Sequence, residues 1–285
     1  MNFNWLLLEY RNHFSTYIRS LLKPDPLLKN NIGFKNLHKN ERCFILGSGH
    51  SINTQDLSLL NGEIVMTQNH FHAHPEIFKI KPRYHVLIPK YQPKEFDGDW
   101  VSWLKSMEDR LPDETNIFLG ANTKYLLDET GFFKNRSFFI KSGYSSAIAK
   151  IAYTDITRPL MRVPTVLTEC LAIAIYMGFK EIYLMGFDLD QNIQLAKGVN
   201  RDEIRFYGKS DITNNQAEKN IELAEGASGL DWFSMWTIWE QCNLLKKAAE
   251  AANIKIINAT NGGVLNVFDR RPYEEVIKPG KKNCE

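Results

Sequence analysis

The sequence predicts an α/β protein with a doubly wound, mostly parallel sheet that carries helices on both faces. The apolar run 43–46 ends at Gly47-Ser48-Gly49, as a buried strand ends at a tight turn. Farther along, an apolar helix at 165–177 ends at Gly178, and the strand 180–185 follows it. Strand, turn and helix patterns alternate from residue 42 onward, which is typical of parallel sheets.

Composition limits the class of protein. The chain has 285 residues, 44% of them apolar, and a net charge of +2, so we expect a globular protein that binds no nucleic acid. The four cysteines share neither a metal-binding nor a disulfide spacing, and two lie in apolar runs, which favours a reducing cytoplasm. The sequence contains no apolar run of about 20 residues and no signal-peptide pattern.

The N-terminal 40 residues are predicted to be an amphipathic helix and a linker, followed by one domain over 41–285. Apolar, aromatic and basic residues alternate at helical spacing over 1–23. Such a helix can lie on an anionic membrane, as peripheral contact on its inner face, or pack on its own protein or on a second copy of the chain. The sequence leaves these alternatives open.

The remaining elements follow from periodicity. We expect further strands at 62–67, 83–88, 116–119 and 137–140, with a last strand at 254–257. Helices are expected at 99–110 and 231–252, with their tryptophans in the core.

Two loops carry the candidate binding residues. Residues 47–51, here named the Gly47 loop, combine a glycine turn with the start of a helix, an arrangement suited to phosphate; Gly47, Ser48, Gly49 and Ser51 are its candidate ligands. Residues 186–190, the Asp188 loop, end a strand in the same way. Since the carboxyl ends of parallel strands line one crevice, we expect the two loops to converge there.

The acidic pair of the Asp188 loop allows several roles. Asp190 is the candidate general base for an acceptor hydroxyl. Asp188 and Asp190, two residues apart, could instead hold a divalent metal against a diphosphate, or Asp190 could be a surface residue. His70, which follows the second strand, is another candidate base. The three alternate histidines at 70, 72 and 74 lack further ligands at suitable spacing, so we predict a polar loop and no metal site.

Residues 191–230 are polar and weakly patterned, which favours a lid over the site, with disorder as the alternative. Four basic side chains could serve a phosphate: Arg162, Arg201, Arg205 and Lys209.

Three stretches together resemble a known group of enzymes: 44–51, the segment 178–188 with its preceding helix, and the tail 258–268. They look like the bacterial sialyltransferases that decorate lipooligosaccharide, and like the broader superfamily named for 6-hydroxymethylpterin diphosphokinase, which includes the motility accessory factor glycosyltransferases. The resemblance covers about 42–72 and 163–270.

The resemblance implies a Rossmann-like glycosyltransferase with a CMP-activated nonulosonic sugar as donor, a surface glycan or glycolipid as acceptor and no cofactor. It implies that the nucleotide is held by the Gly47 loop together with Asn69, Thr165 and Asp188. In those sialyltransferases a lid histidine is the base and two lid tyrosines assist the departing phosphate, so the resemblance implies that Tyr207 is a catalytic residue. Here, however, no histidine follows His85, and Tyr207 is the one tyrosine in the predicted lid. Two alternatives therefore stay open: a pterin-type diphosphokinase using ATP and Mg²⁺, and a non-catalytic nucleotide-binding protein.

Overall fold

The structure is a computed structural model that describes residues 11, 15, 18–87, 89–90, 92–145, 153–162, 165–199, 203–206 and 232–277. Most of the predicted N-terminal helix and most of the predicted lid, including Tyr207, lie outside these residues. The membrane contact proposed for residues 1–23 therefore stays a prediction. In the described part of the chain, no helix combines the length and apolar character that crossing a bilayer requires.

The predicted doubly wound parallel sheet is confirmed. The strands of the described residues are β1 Arg42–Leu46, β2 Ile64–Gln68, β3 Tyr84–Val86, β4 Asn116–Gly120, β5 Ser137–Ile140, β6 Ser142–Ser145, β7 Leu160–Arg162, β8 Glu181–Met185, β9 Lys255–Asn258 and β10 Asp269–Arg270. Eight of them form one sheet in the order β10-β9-β8-β1-β2-β3-β4-β5, and every pairing is parallel. Strands β6 and β7 form a separate parallel pair.

Strand β10 corrects the prediction that the strand at 254–257 is the last. It contains two exposed residues, Asp269 and Arg270, so it has no alternation of apolar side chains to reveal it in the sequence. It pairs with β9 in parallel, with Asp269 opposite Ile257 and Arg270 opposite Asn258.

Helices connect the strands and cover both faces of the sheet. The α-helices are α1 Pro26–Lys29, α2 Ile77–Ile80, α3 Asp97–Glu108, α4 Lys124–Thr130, α5 Leu167–Met177, α6 Gln191–Ala196, α7 Trp232–Ala251 and α8 Tyr273–Val276. Short 3₁₀ helices lie at His50–Thr54, Leu57–Leu60 and Asn69–Ala73, among others.

Alternation along the strands divides the core into two layers. Cys43 and Ile45 of β1 join the layer formed with α5 and α7, whereas Phe44 and Leu46 join the layer formed with α3. All eleven residues of α5 are buried, as its sequence, apolar except for Thr168 and Glu169, predicts. One predicted core residue of α7, Trp236, is instead 51% exposed, because it lies on the side of the helix that faces away from the sheet.

The segment before the sheet packs onto the domain. Leu28 is fully buried, and the side chain of Asn31 donates to the carbonyl oxygens of Phe139 and Ile156, both at 2.8 Å. These bonds join the C-terminal part of the predicted linker to the β5 edge of the sheet.

Candidate functional site

The crevice lies between β1 and β8, which are neighbours inside the sheet. The strands that follow β1 extend the sheet to one edge, and those that follow β8 extend it to the other. The Gly47 and Asp188 loops leave these strands side by side, joined by bonds from Gly47 N to Met185 O (2.7 Å) and from Gly49 N to Gly186 O (2.9 Å). A Cβ atom on Gly47 would overlap the carbonyl oxygen of Gly186. Both glycines are therefore required by the close approach of the two backbones.

Asp188 is bound by the Gly47 loop. Its carboxylate accepts hydrogen bonds from the hydroxyl and from the backbone N–H of Ser51, the latter at 3.2 Å, and His50 Nδ1 lies 3.2 Å from its Oδ2. The side chain is only 4% exposed. Gly263 packs against the backbone of Asp188, leaving no room for a Cβ atom, and Val264 N donates to Asp188 O at 2.8 Å. Charge-assisted bonds and close packing thus fix this carboxylate.

Asp190 is also buried, so the alternative of a surface residue is excluded; the side chain of Gln194 donates to its Oδ2 at 2.7 Å. Its other oxygen, Oδ1, is buried and accepts no hydrogen bond from the described residues. Leu189, between the two aspartates, has a left-handed backbone with φ of 48°. Non-glycine residues adopt this conformation at a cost, so the surrounding contacts hold the loop in place.

Residues 203–206 return to the Gly47 loop. His50 N donates to Ile204 O and Phe206 N donates to Ser48 O, both at 3.2 Å. The guanidinium of Arg205 donates to Ser48 Oγ at 2.9 Å and to Gln191 Oε1 at 3.3 Å. Of the four basic residues considered for a phosphate, Arg205 is therefore placed at the crevice; Arg201, Lys209 and the side chain of Arg162 lie outside the described part of the chain.

Asn69 and His70 follow β2, the strand next to β1, in a 3₁₀ helix rather than the predicted polar loop. Asn69 has a left-handed backbone, φ 46°, and its carbonyl oxygen accepts from His72 Nδ1 at 3.1 Å and His85 Nε2 at 3.0 Å. The side chains of His72 and His85 thus stabilise this turn by hydrogen bonds to the carbonyl oxygen of Asn69. His70 stacks on Trp103 with ring centroids 4.8 Å apart.

Burial lowers the pKa of His70 to about 3 and that of His72 to about 4. The cause is the cost of placing a charged imidazole away from water, to which the neighbouring cationic groups add. Both rings are neutral at pH 7, and a base whose conjugate acid has so low a pKa is weak. His70 is consequently a poorer proton acceptor than the sequence alone suggests.

Thr165 is half-buried, and its hydroxyl accepts from Leu167 N, the first N–H of α5, at 3.3 Å, although the N-cap position itself is Val166. Among the described residues, no hydrogen bond joins Thr165 to the Gly47 loop.

Sequence reasoning missed His50 and Gly263. His50 follows Gly49 directly, so its position at the start of a turn next to a candidate phosphate site was the available signal. Gly263 belongs to a Gly-Gly pair, but only the fold reveals that it packs on Asp188.

The arrangement can bind either an anion or a cation. For an anion, Arg205 supplies positive charge next to the hydroxyl of Ser48. The backbone N–H groups of Gly47, Gly49, His50 and Ser51 already donate to acceptors within the protein. On the other side, one ligand atom each from His50, Asp188 and Asp190 lie within 4.8 Å of one another.

Comparison with known proteins gives a limited result. No protein-family model matches the sequence. No curated protein matches it either. Among solved structures, the sialyltransferase CST-II in complex with trisaccharide acceptor and CMP is 17% identical, with a TM-score of 0.47, over 81% of this chain and 86% of the other. The sialyltransferase CstII from Campylobacter jejuni in complex with the substrate analogue CMP-3FNeuAc is 15% identical, with a TM-score of 0.41 and the same coverage. Prephenate dehydrogenase from A. aeolicus is 11% identical, with a TM-score of 0.23, over 74% of this chain and 86% of the other. At this identity the comparison assigns no substrate and no residue role to the present chain.

Proposed function

We propose that this chain is a glycosyltransferase that moves a sugar from a nucleotide-activated donor to a surface glycan or glycolipid. The observation that carries the proposal is the convergence of the Gly47 and Asp188 loops at the crevice between β1 and β8. In open parallel sheets, ligands bind outside the carboxyl ends of the strands where the strand order reverses.

The Gly47 loop supports a phosphate-bearing donor. The support comes from a guanidinium with a hydroxyl beside it, Arg205 and Ser48, which suits an anionic leaving group. The glycines of the loop make room for the Asp188 loop, which lies against them. We propose that Gly47, Ser48, Gly49 and Ser51 surround this phosphate, with Asn69 and Thr165 at the neighbouring strand and helix ends.

The donor class comes from the sequence motifs. The stretches 44–51 and 178–188 resemble those of CMP-dependent sialyltransferases, so we propose a CMP-activated nonulosonic or related acidic sugar. Tyr207 stays the proposed residue for the departing phosphate.

Asp190 is proposed as a catalytic carboxylate with one of two roles. It takes the proton of the acceptor hydroxyl, or it binds a cation that neutralises the leaving phosphate. Both roles need the oxygen that accepts no hydrogen bond from the described residues, Asp190 Oδ1, so they exclude one another in a single complex.

Thermal denaturation with CMP, CDP, UDP, GDP or ATP at millimolar concentration, in EDTA and then in Mg²⁺, tests the proposal. A ligand that binds the folded state raises Tm, so we expect the largest rise with CMP. The Gly49→Ala variant should lose this rise, because its Cβ overlaps the carboxylate of Asp188, whereas Gly33→Ala, with open space around it, should keep it.

The other outcomes identify the alternatives. Preference for ATP with Mg²⁺ would indicate the diphosphokinase, and no shift with any nucleotide would indicate a protein that binds none of them. A CMP-dependent shift retained by Gly49→Ala would remove the Gly47 loop from the donor site.

A further inference from the structure

Three side chains from two separate loops meet at the mouth of the crevice. His50 comes from the Gly47 loop, and Asp188 and Asp190 come from the Asp188 loop, more than 130 residues later. One nitrogen or oxygen atom from each lies within 4.8 Å of the other two, and His50 Nδ1 is 3.2 Å from Asp188 Oδ2. Only the fold creates this cluster.

The hydrogen bonds of the cluster leave one position unfilled. Ser51 and His50 bind the carboxylate of Asp188, and Gln194 binds Asp190 Oδ2. Asp190 Oδ1 is buried and accepts no hydrogen bond from the described residues, and the residue as a whole is only 8% exposed. Since a buried carboxylate oxygen without a donor is costly, this atom indicates a positively charged or hydrogen-donating ligand.

The electrostatics of the cluster favour a cation. Two buried carboxylates repel each other more strongly than they would in water, because the surrounding medium screens them less. Arg205, the nearest guanidinium assigned to this site, bonds to Ser48 and Gln191 and not to either aspartate. A donor phosphate would add further negative charge next to Asp188 and Asp190, so its binding here calls for a neutralising ion.

We propose that His50 Nδ1, Asp188 and Asp190 Oδ1 bind a divalent cation of the Mg²⁺ and Mn²⁺ class. Carboxylate oxygens are the ligands that these ions prefer, and one imidazole among them favours Mn²⁺ over Ca²⁺. Oxygens about 2.1 Å from such an ion stand at most about 4.2 Å apart, so a small closure of the three side chains completes the set. His50 can supply this closure, because its side chain is 45% exposed.

This cation site is a proposal separate from the transfer reaction, although a bound ion would also change how that reaction proceeds. With the ion in place, Asp190 acts as a ligand and not as the general base. The ion lies beside the Gly47 loop, where it would offset the charge that develops on a leaving phosphate. The site itself exists whichever nucleotide, if any, the chain binds.

The test uses Mn²⁺ alone with the full chain, without nucleotide. Isothermal titration calorimetry and the loss of the free Mn²⁺ signal in electron paramagnetic resonance measure the dissociation constant. We expect saturable binding of one Mn²⁺ per chain, weakened at least tenfold in His50→Gln and in Asp190→Asn. Both substitutions preserve size, and in Asp190→Asn the amide carbonyl oxygen of the new side chain can still accept from Gln194. Circular dichroism and thermal denaturation confirm that each variant is folded.

The matched control is Glu41→Gln. Glu41 forms another histidine–carboxylate pair, with His38 at 2.6 Å, but it belongs to no group of three ligands in the described part of the chain. This variant should bind Mn²⁺ as the wild type does.

Absence of saturable binding to the wild type up to millimolar Mn²⁺ overturns the proposal. Binding that either His50→Gln or Asp190→Asn retains within twofold also overturns the three-ligand assignment. Nucleotide binding measured in EDTA reports on the proposed function independently, so the two proposals fail separately.

Discussion

The hydroxyl of Ser51 donates a hydrogen bond to the carboxylate of Asp188, which lies 137 residues farther along the chain. This bond joins the ends of two neighbouring strands, β1 and β8, at the edge of the sheet where the crevice opens. It holds a buried negative charge at a fixed position. Together with the backbone hydrogen bonds from Gly47 N to Met185 O and from Gly49 N to Gly186 O, it holds the Gly47 and Asp188 loops side by side.

Removing this hydroxyl should destabilise the protein. In Ser51→Ala, Asp188 loses a buried, charge-assisted hydrogen bond, and we expect the free energy of unfolding to fall by about 1.5–3 kcal/mol, measured by urea denaturation. Ser58→Ala is the control, because Ser58 makes a similar bond to Asp56 in an exposed position; it should change stability by less than about 0.5 kcal/mol. Equal effects of the two substitutions would show that burial of the Asp188 contact is unimportant.

Arg205 should contribute to nucleotide affinity. In Arg205→Gln the positive charge beside Ser48 is lost, so we expect CMP to bind at least tenfold more weakly by calorimetry, which is about 1.4 kcal/mol. Wild-type affinity should also fall as NaCl is raised, since salt screens the attraction. Arg158→Gln, which removes an arginine paired with Asp155, is the control and should bind normally. Unchanged affinity in Arg205→Gln would place the phosphate elsewhere.

The buried histidines should make the protein sensitive to acid. The pKa of His70 is lowered to about 3 and that of His72 to about 4, from an ordinary 6.5. Below pH 6.5 the unfolded chain therefore binds protons that the folded chain excludes, and each histidine lowers the free energy of unfolding by about 1.4 kcal/mol per pH unit, down to its folded pKa. The stabilisation is complete above pH 6.5 and is lost as the pH falls.

Urea denaturation from pH 7.5 to 4.5 measures this slope. The His72→Gln variant cannot titrate at that position. The slope of its free energy of unfolding below pH 6.5 should therefore be smaller than that of the wild type by about 1.4 kcal/mol per pH unit, the contribution of one proton. Identical slopes would show that His72 is protonated equally easily in the folded and unfolded states.

Glu169 should have the opposite pH dependence. Burial in α5 raises its pKa to about 8 from an ordinary 4.5, so the folded chain keeps a proton that the unfolded chain releases between these values. This contribution to stability is present below pH 4.5 and is lost as the pH rises toward 8. Glu169→Gln should therefore stabilise the protein at pH 7.5 by on the order of 2–4 kcal/mol, and hardly at all at pH 4.5. Glu250→Gln, on the exposed side of α7, should have little effect at either pH; a pH-independent effect of Glu169→Gln would contradict the shift.

Much of the fold could be predicted because its signals are local. The continuous apolar run of β1 and the glycine turns after β1 and β8 reflect the physics of single segments and their neighbours. The convergence of the two loops follows from the same information, since the strands of a parallel sheet end at one edge. Strand β10 was missed because its two exposed residues carry no such pattern.

The sequence by itself determined most of the strands, the two long helices at 99–110 and 231–252, the parallel sheet and the two loops at its carboxyl edge, because periodicity and glycine placement act within short stretches of chain. Only the tertiary structure decided that His50 meets Asp188, that Arg205 reaches Ser48 and that two histidines bind the carbonyl oxygen of Asn69. These contacts join residues distant along the chain. They depend on how helices and strands pack in three dimensions, which no local pattern encodes.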